Sequence, residues 1–233
     1  MAYRLITANR NYSSWSLRPW VLMSTLGLPF EDDVRPFAAA TNYDAFRSFS
    51  PTGQVPTLID RDDSGNETIV WDSLGIVLYL ADRHPGVWPS DPAARAWAIC
   101  ATAEMHAGFA TLRNACTMNV GVRVDLGKPG VALARDIARL RELWEEGLTR
   151  FGGPFLGGDR FTAVDAFFAP VVYRVRTYDL DVGPVARLWV EHMLALAAMQ
   201  EWEAAALKET WREAAHEAEL MTAGRVAADY RAL

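Results

Sequence analysis

Only two of the 233 residues are cysteine, Cys100 and Cys116, and that scarcity removes several kinds of protein from consideration. Two thiols make no disulfide framework, and their 16-residue separation on a stretch with helical patterning is too long for a local bridge. No C-x-x-C occurs, so dithiol redox chemistry has no residues to run on. Histidine is sparse as well. His84, His106, His192 and His216 are dispersed, with no H-x-x-x-H pair, and no metal site is expected. Positive charge is in deficit, with 23 Lys plus Arg against 29 Asp plus Glu, a net charge of −6 and a pI near 5.3. That balance gives no electrostatic footprint for nucleic acid or an anionic membrane. It leaves room for a small basic pocket that takes an anionic small molecule. No apolar run approaches the ~20 residues of a membrane span, and no basic segment followed by an apolar one marks a signal peptide. A reducing cytoplasm is the expected compartment.

Hydrophobic residues are plentiful, 51% of the chain, enough for one large or two small cores. The first 80 or so residues differ in texture from the rest. Residues 3–8 alternate as a strand, and 17–26 turn apolar and helical before Gly27 and Pro29 stop them. Pro19 lacks an N–H and is comfortable in a first turn, so the helix is expected to begin near Ser16, with Ser13 and Ser14 in the loop ahead of it. Residues 30–36 read as a second strand and 43–49 as a short helix ended by the S-P-T-G turn. Q-V-P-T-L-I-D at 54–60 and residues 67–71 pair as a hairpin, with Pro56 confined to a strand start or edge. Asp72-Ser73 then opens a helix whose Leu74, Val77, Leu78 and Ala81 share one face. Past the Pro-rich stretch 85–92 the strand signals fade, and 95–118, 131–151, 163–179 and 185–207 read as helices. The charged tail 211–233 is expected to add a short helix or stay mobile. The pattern predicts an α/β thioredoxin-like domain over 1–84 and an all-α domain over 92–233.

Four clusters could carry chemistry. In N-Y-S-S-W-S-L-R-P-W at 11–20, hydroxyls crowd a strand-to-helix turn, where they either cap the helix or face a ligand. Asp72-Ser73 sits where a strand runs into a helix, so unpaired N–H groups and the positive end of the dipole suit a carboxylate. Ser73 can donate to that carboxylate and Asp72 can accept from an ammonium, a combination fitted to an α-amino acid end; helix capping by Asp72 is the plainer reading. A cis Val55-Pro56 bond would turn the Val55 N–H and C=O toward an extended peptide ligand. Thr162 and Asp165 have capping-box spacing, with Phe161 and Ala166 at the staple positions, and are expected to nucleate a buried helix without chemistry.

Taken together, Y-S-S-W-S-L-R, Q-V-P-T-L, W-D-S and T-A-V-D stand in the order and at the separations of a cytosolic glutathione S-transferase, which the chain resembles over nearly its whole length. S-S-W-S-L-R is most similar to the serine-type S-S-C-S-x-R signature of the zeta class and its bacterial relatives. Trp15 stands where that class has cysteine, which argues against zeta-type isomerase chemistry more than against glutathione binding.

The resemblance implies a thioredoxin-like half that binds glutathione as co-substrate, with no separate cofactor and no metal. Val55 and Pro56 would hold the cysteinyl backbone, and Asp72 and Ser73 the γ-glutamyl end. Ser13 matches the catalytic serine, with Ser14 as the fallback and Tyr12 as a rival donor. Lowering the thiol pKa by about two units takes roughly 2.7 kcal/mol, within reach of one charge-assisted bond plus a helix end. The electrophile site is expected to draw on Met105, His106, Phe109, Arg113 and Met118, with Arg174 and Arg176 beyond. Those arginines either steer an acidic substrate or form salt bridges, the second being the commoner outcome. A homodimer is implied, with Phe46 and Phe49 as a candidate aromatic key. The alternatives are a glutathione-dependent peroxidase or isomerase, or a non-catalytic carrier of the same fold. A lyase or reductase using its own cysteine is disfavoured, since residues 11–20 contain none.

Overall fold

The computed structural model describes residues 2–37 and 42–232. Strand β1 (Ala2–Thr7) leads into helix α1 (Ser14–Thr25), β2 (Phe30–Val34) and the short α2 (Tyr43–Phe46). The hairpin β3 (Thr57–Arg61) and β4 (Glu67–Trp71) then feeds α3 (Ser73–Ala81). The sheet order is β2-β1-β3-β4, with β1 parallel to β2 and β3 antiparallel to both neighbours. This is the thioredoxin-like arrangement. Pro56 lies just before β3, so its missing N–H costs the ladder nothing.

The second half holds α4 (Pro92–Ala107), α5 (Ala110–Ala115), α6 (Val131–Phe151), α7 (Ala163–Tyr178), α8 (Gly183–Leu194), α9 (Ala197–Lys208) and α10 (Ala214–Ala223). It also contains a ribbon the sequence reading missed, β5 (Val122–Asp125) paired antiparallel with β6 (Arg225–Asp229). The tail is therefore tied down at both its helix and its end. Strands of four and five residues, with a register shift between Arg123 and Val124, carry too little alternation to be seen without their partner.

Helix α7 is the axis of the core. All its residues but Arg176 are buried, and it packs against α1, α4 and α8. The capping box forms as expected: Asp165 accepts from the Thr162 N–H at 3.0 Å. Its other oxygen reaches outward, accepting from the Leu156 N–H at 2.9 Å and the Trp189 indole at 3.3 Å.

Four helix readings need correction. Helix α1 begins at Ser14 and contains Pro19, because burial against α7 and the sheet outweighs one lost hydrogen bond. The stretch 95–118 is two helices. Gly108 is extended there, in a conformation where any Cβ would stand 2.7 Å from the Glu104 carbonyl, so the break requires glycine, and Phe109 follows in the left-handed region at φ 55° with its ring buried. The stretch 185–207 also breaks, at Ala195–Leu196, because α8 packs on α6 and α7 while α9 packs on α1. In α3 the buried face is Ile76, Val77 and Leu80, leaving Leu78 in solvent.

Candidate functional site

A cleft of about 800 Å³ opens where the N-terminus of α1, the segment before β3, the β4–α3 junction and helices α5, α7 and α10 meet. It gathers Ser13, Ser14, Val55, Pro56, Asp72 and Ser73 on one surface.

Ser13 is the N-cap residue of α1, but its hydroxyl does not cap the helix. It donates to Ser16 Oγ at 2.7 Å, and Ser16 Oγ also accepts from the Ala8 N–H at 3.3 Å. Ser14, half-buried on the same turn, has no side-chain hydrogen bond among the described residues. The Val55-Pro56 bond is cis. Asp72 lies at φ 66°, a conformation costly for a residue with a Cβ. Its carboxylate caps the Leu74 N–H at 2.7 Å while its carbonyl accepts from Ile76. The Ser73 side chain is buried on the cleft wall, and among the described residues its Oγ has no partner. An unsatisfied buried hydroxyl at a helix N-terminus is costly until something accepts from it.

Tyr12 also borders the cleft, yet its hydroxyl is engaged elsewhere. It donates to Glu217 of α10 at 2.6 Å and accepts from Arg231 at 3.3 Å. Burial first, and Glu217 second, push its pKa upward. The ring stacks on His216, which in turn stacks on Phe37, at 4.9 and 5.6 Å. Tyr12 therefore anchors the tail. Tyr12→Phe should lower stability by about 1–2 kcal/mol in urea titrations and leave a bound thiol's pKa where it was; a raised thiol pKa would return Tyr12 to the chemistry. Nothing in the local sequence of the tail could have pointed to His216 or Glu219, which also line the cleft.

The residues expected at the electrophile site divide. Arg113, Met118 and Arg174 line the cleft. Met105 and Phe109 are buried in the core and do not. His106 stands behind the wall, edge-on to Trp15 at 5.4 Å and 3.6 Å from Asp72, beyond hydrogen-bond reach. Burial is the main cause holding its pKa low, with Asp72 opposing. Arg176 is outside the cleft, paired with Glu203 at 2.8 Å. Phe46 is buried against Phe37 and Phe49 and borders the cleft, so it is not an exposed key. Cys100 is exposed, while Cys116 is buried and its thiol is pushed up to about 11 by desolvation. Among the described residues no cluster of three or more His, Cys, Asp or Glu could hold a metal, and no helix is long and apolar enough to cross a membrane.

A thioredoxin-like half joined to a helical half, with the cleft at their junction, is the architecture of glutathione-dependent transferases. The N-terminal domain model of glutathione S-transferases matches residues 12–83, and the C-terminal domain model matches residues 130–213. The chain belongs to the glutathione S-transferase family. It is 23% identical to a probable maleylacetoacetate isomerase of Caenorhabditis elegans, over 75% of this chain and 79% of that one. It is 26% identical to glutathione S-transferase GstB of Escherichia coli K12, over 82% and 94% respectively. In fold it is similar to a glutathione transferase homolog from Burkholderia solved with bound glutathione, with a TM-score of 0.64 at 21% identity, covering 87% of this chain and 96% of that one.

Proposed function

We propose that the protein binds glutathione in this cleft and activates its thiol for attack on an electrophilic small molecule. The observation that carries the reading is Ser73 Oγ, buried and unpartnered at the head of α3, beside the exposed carboxylate of Asp72. The hydroxyl and helix end suit the γ-glutamyl carboxylate and Asp72 suits its ammonium. Val55, half-buried ahead of Pro56, supplies backbone groups for the cysteinyl residue. That pairing aims the sulfur at the start of α1. Ser13 there exchanges its neutral bond to Ser16 for a stronger charge-assisted bond to the thiolate, with Ser14 adjacent. Residues 1–84 would act as the glutathione-binding domain and 92–233 as the part completing the electrophile site.

Glutathione serves as co-substrate, no cofactor is required, and the role is cytoplasmic detoxification. A homodimer is supported by Ile69, Trp71, Leu78 and Ile99, large apolar residues left exposed on β4, α3 and α4. Similarity to a probable maleylacetoacetate isomerase makes double-bond isomerisation the alternative reaction of the same thiolate. A second reading, a glutathione-binding carrier, draws on the Ser13 proton being directed at Ser16.

Calorimetric titration with glutathione tests the binding reading. Ser73→Ala should weaken affinity about 10- to 100-fold, the value of a hydrogen bond to a charged group. Equal affinity in the two proteins would remove glutathione's γ-glutamyl end from this position.

A further inference from the structure

The thiol of glutathione must give its proton to something, and Ser13 cannot take it. Its own O–H donates to Ser16 and, in the complex proposed above, to the sulfur. Among the described residues lining the cleft, Asp72, Glu219 and His216 carry side chains able to accept a proton near neutral pH. Asp72 caps the Leu74 N–H and is assigned to the ammonium of glutathione. Glu219 is exposed, and no side-chain hydrogen bond among the described residues aims its carboxylate. The Tyr12 hydroxyl is committed to Glu217 and Arg231.

His216 is held differently. Its ring stacks on Tyr12 and on Phe37, with interplanar angles of 21° and 14°. Nδ1 lies 2.7 Å from a carboxylate oxygen of Glu213, and the same oxygen accepts from the His216 backbone N–H at 2.8 Å. Glu213 is also the N-cap of α10, so one carboxylate fixes both the helix start and the ring. Burial works against ionisation of Glu213, but its bonds from the His216 backbone and ring outweigh that and hold the carboxyl below its usual value. An ionised carboxylate only accepts, so Nδ1 carries the proton in that bond. Nε2 then presents a lone pair, and it has no hydrogen-bond partner among the described residues. Beyond Tyr12 the charged neighbours Glu217 and Arg231 pair with each other. An imidazole whose tautomer and direction are set by a carboxylate, with its far nitrogen open on a cleft, is built to exchange a proton.

We propose that His216 is a catalytic residue positioned by Glu213, taking the thiol proton of glutathione at Nε2 and returning it to carbon, so that the second substrate is an activated alkene. This rests on the transferase reading of the cleft and adds the proton carrier and the class of the electrophile. Tyr12 directly precedes Ser13, so the ring stacked on it stands beside the donor assigned to the sulfur. In the first step the S–H bond breaks, the proton bonds to Nε2, and the electron pair stays on sulfur, facing Ser13. The imidazolium then lies between two anions, the thiolate and Glu213. In the second step the sulfur pair forms the S–C bond at the β carbon of an α,β-unsaturated carbonyl, and the π pair passes into an enolate. The α carbon takes the proton from Nε2, which leaves His216 neutral again. The thiol has added across the double bond, with nothing oxidised or reduced. A proton kept in the cleft serves this addition, because the product needs it back; a substitution does not.

Nitrogen NMR of the isotopically labelled protein reads the proton directly, at a pH above the imidazole titration measured on the free protein. His216→Gln identifies the signal among the four histidines. The free protein should show the form protonated on Nδ1 alone, and saturating glutathione should convert it to the doubly protonated form. S-methylglutathione, which has no thiol proton, should not. Glu213→Gln should lower the doubly protonated fraction while glutathione still binds. An imidazole unchanged by bound glutathione, or changed equally by the two ligands, overturns the proposal. Turnover tests the return step. The kcat/KM for benzylideneacetone should fall about 100-fold in His216→Gln, with the affinity for glutathione kept. A loss in Glu219→Gln that exceeds the loss in His216→Gln assigns the proton to Glu219 and overturns the proposal. So does a wild type that conjugates chlorodinitrobenzene but not the alkene. Failure of both glutathione and its S-methyl form to bind in calorimetry overturns the transferase reading as well, whereas binding with an unchanged imidazole overturns the proton transfer alone.

Discussion

Ser13→Ala should raise the pKa of bound glutathione's thiol by about two units, back toward the free value near 8.5. With the bound thiol near pKa 6.5, that shift cuts the thiolate fraction at pH 7 by about 25-fold. The rate constant kcat/KM for a neutral electrophile should fall by a similar factor or somewhat more, since the lost donor also steadies the sulfur during attack. The physical basis is a competition at one hydroxyl. Ser13 Oγ donates to Ser16 Oγ at 2.7 Å, a neutral pair in a buried setting. An arriving thiolate offers a charge-assisted acceptor roughly twice as strong, at the N-terminus of α1, where the dipole adds to it. Activity should therefore rise with pH through the bound-thiol pKa and then level, and the whole rise should move upward in Ser13→Ala. Thiolate absorbance of the complex as pH is varied measures the shift directly. Ser14→Ala should move it by much less. The reverse pattern would transfer the role to Ser14, whose hydroxyl has no competing partner, and no shift in either variant would favour the carrier reading.

Asp165→Ala should destabilise the protein by about 3–5 kcal/mol, the cost of stripping a buried charged acceptor from its donors. The carboxylate satisfies two backbone N–H groups and an indole that tie the Phe155–Gly158 loop and α8 to the start of α7. Against a total stability of about 5–15 kcal/mol, such a loss brings the variant close to unfolding, and urea titration or the melting temperature reports it. The more conservative Asp165→Asn exposes a pH signature. Burial raises the Asp165 pKa to about 6, with the hydrogen bonds pulling the other way. A carboxyl whose folded pKa lies above its unfolded value near 3.9 contributes stability that is complete below pH about 4 and lost as pH rises through about 6. Relative to Asp165→Asn, the wild type should therefore lose stability between pH 4 and 6 and change little above 7. An unchanged difference between urea titrations at pH 4.5 and pH 7.5 would mean that Asp165 is charged throughout.

Legibility in the sequence followed how local each interaction is. The hairpin of β3 and β4 showed because a polar turn separates two short apolar runs, and the head of α7 showed because its capping box closes within four residues. Ser13, Val55 and Ser73 lie 18 to 60 positions apart, and no local pattern joins them; the order of motifs familiar from one family did so. The break at Gly108 was only half legible. Glycine is compatible with a helix, so the residue alone does not end one; what requires glycine here is the extended conformation at 108, in which a Cβ would stand 2.7 Å from the Glu104 carbonyl. The break at Ala195–Leu196 has no local signal, because it arises from two flanking segments packing on different partners.

The sequence by itself determined the division into an α/β half and a helical half, the positions of most strands and helices, and the residues that make glutathione the expected ligand. The first two depend on periodicity, turn residues and short-range caps, interactions made within a few residues of chain, and the last on an order of motifs that resembles one family. Only the tertiary structure decided how the hydroxyls are committed: Tyr12 to the tail through Glu217 and Arg231, Ser13 to Ser16, and Ser73 to nothing. It also decided which arginines are spent. Arg176 finds Glu203, while Arg113 and Arg174 meet the cleft without a counter-ion among the described residues. Pairing of polar groups depends on which atoms come within about 3 Å, and that is set by the packing of segments as much as 219 residues apart.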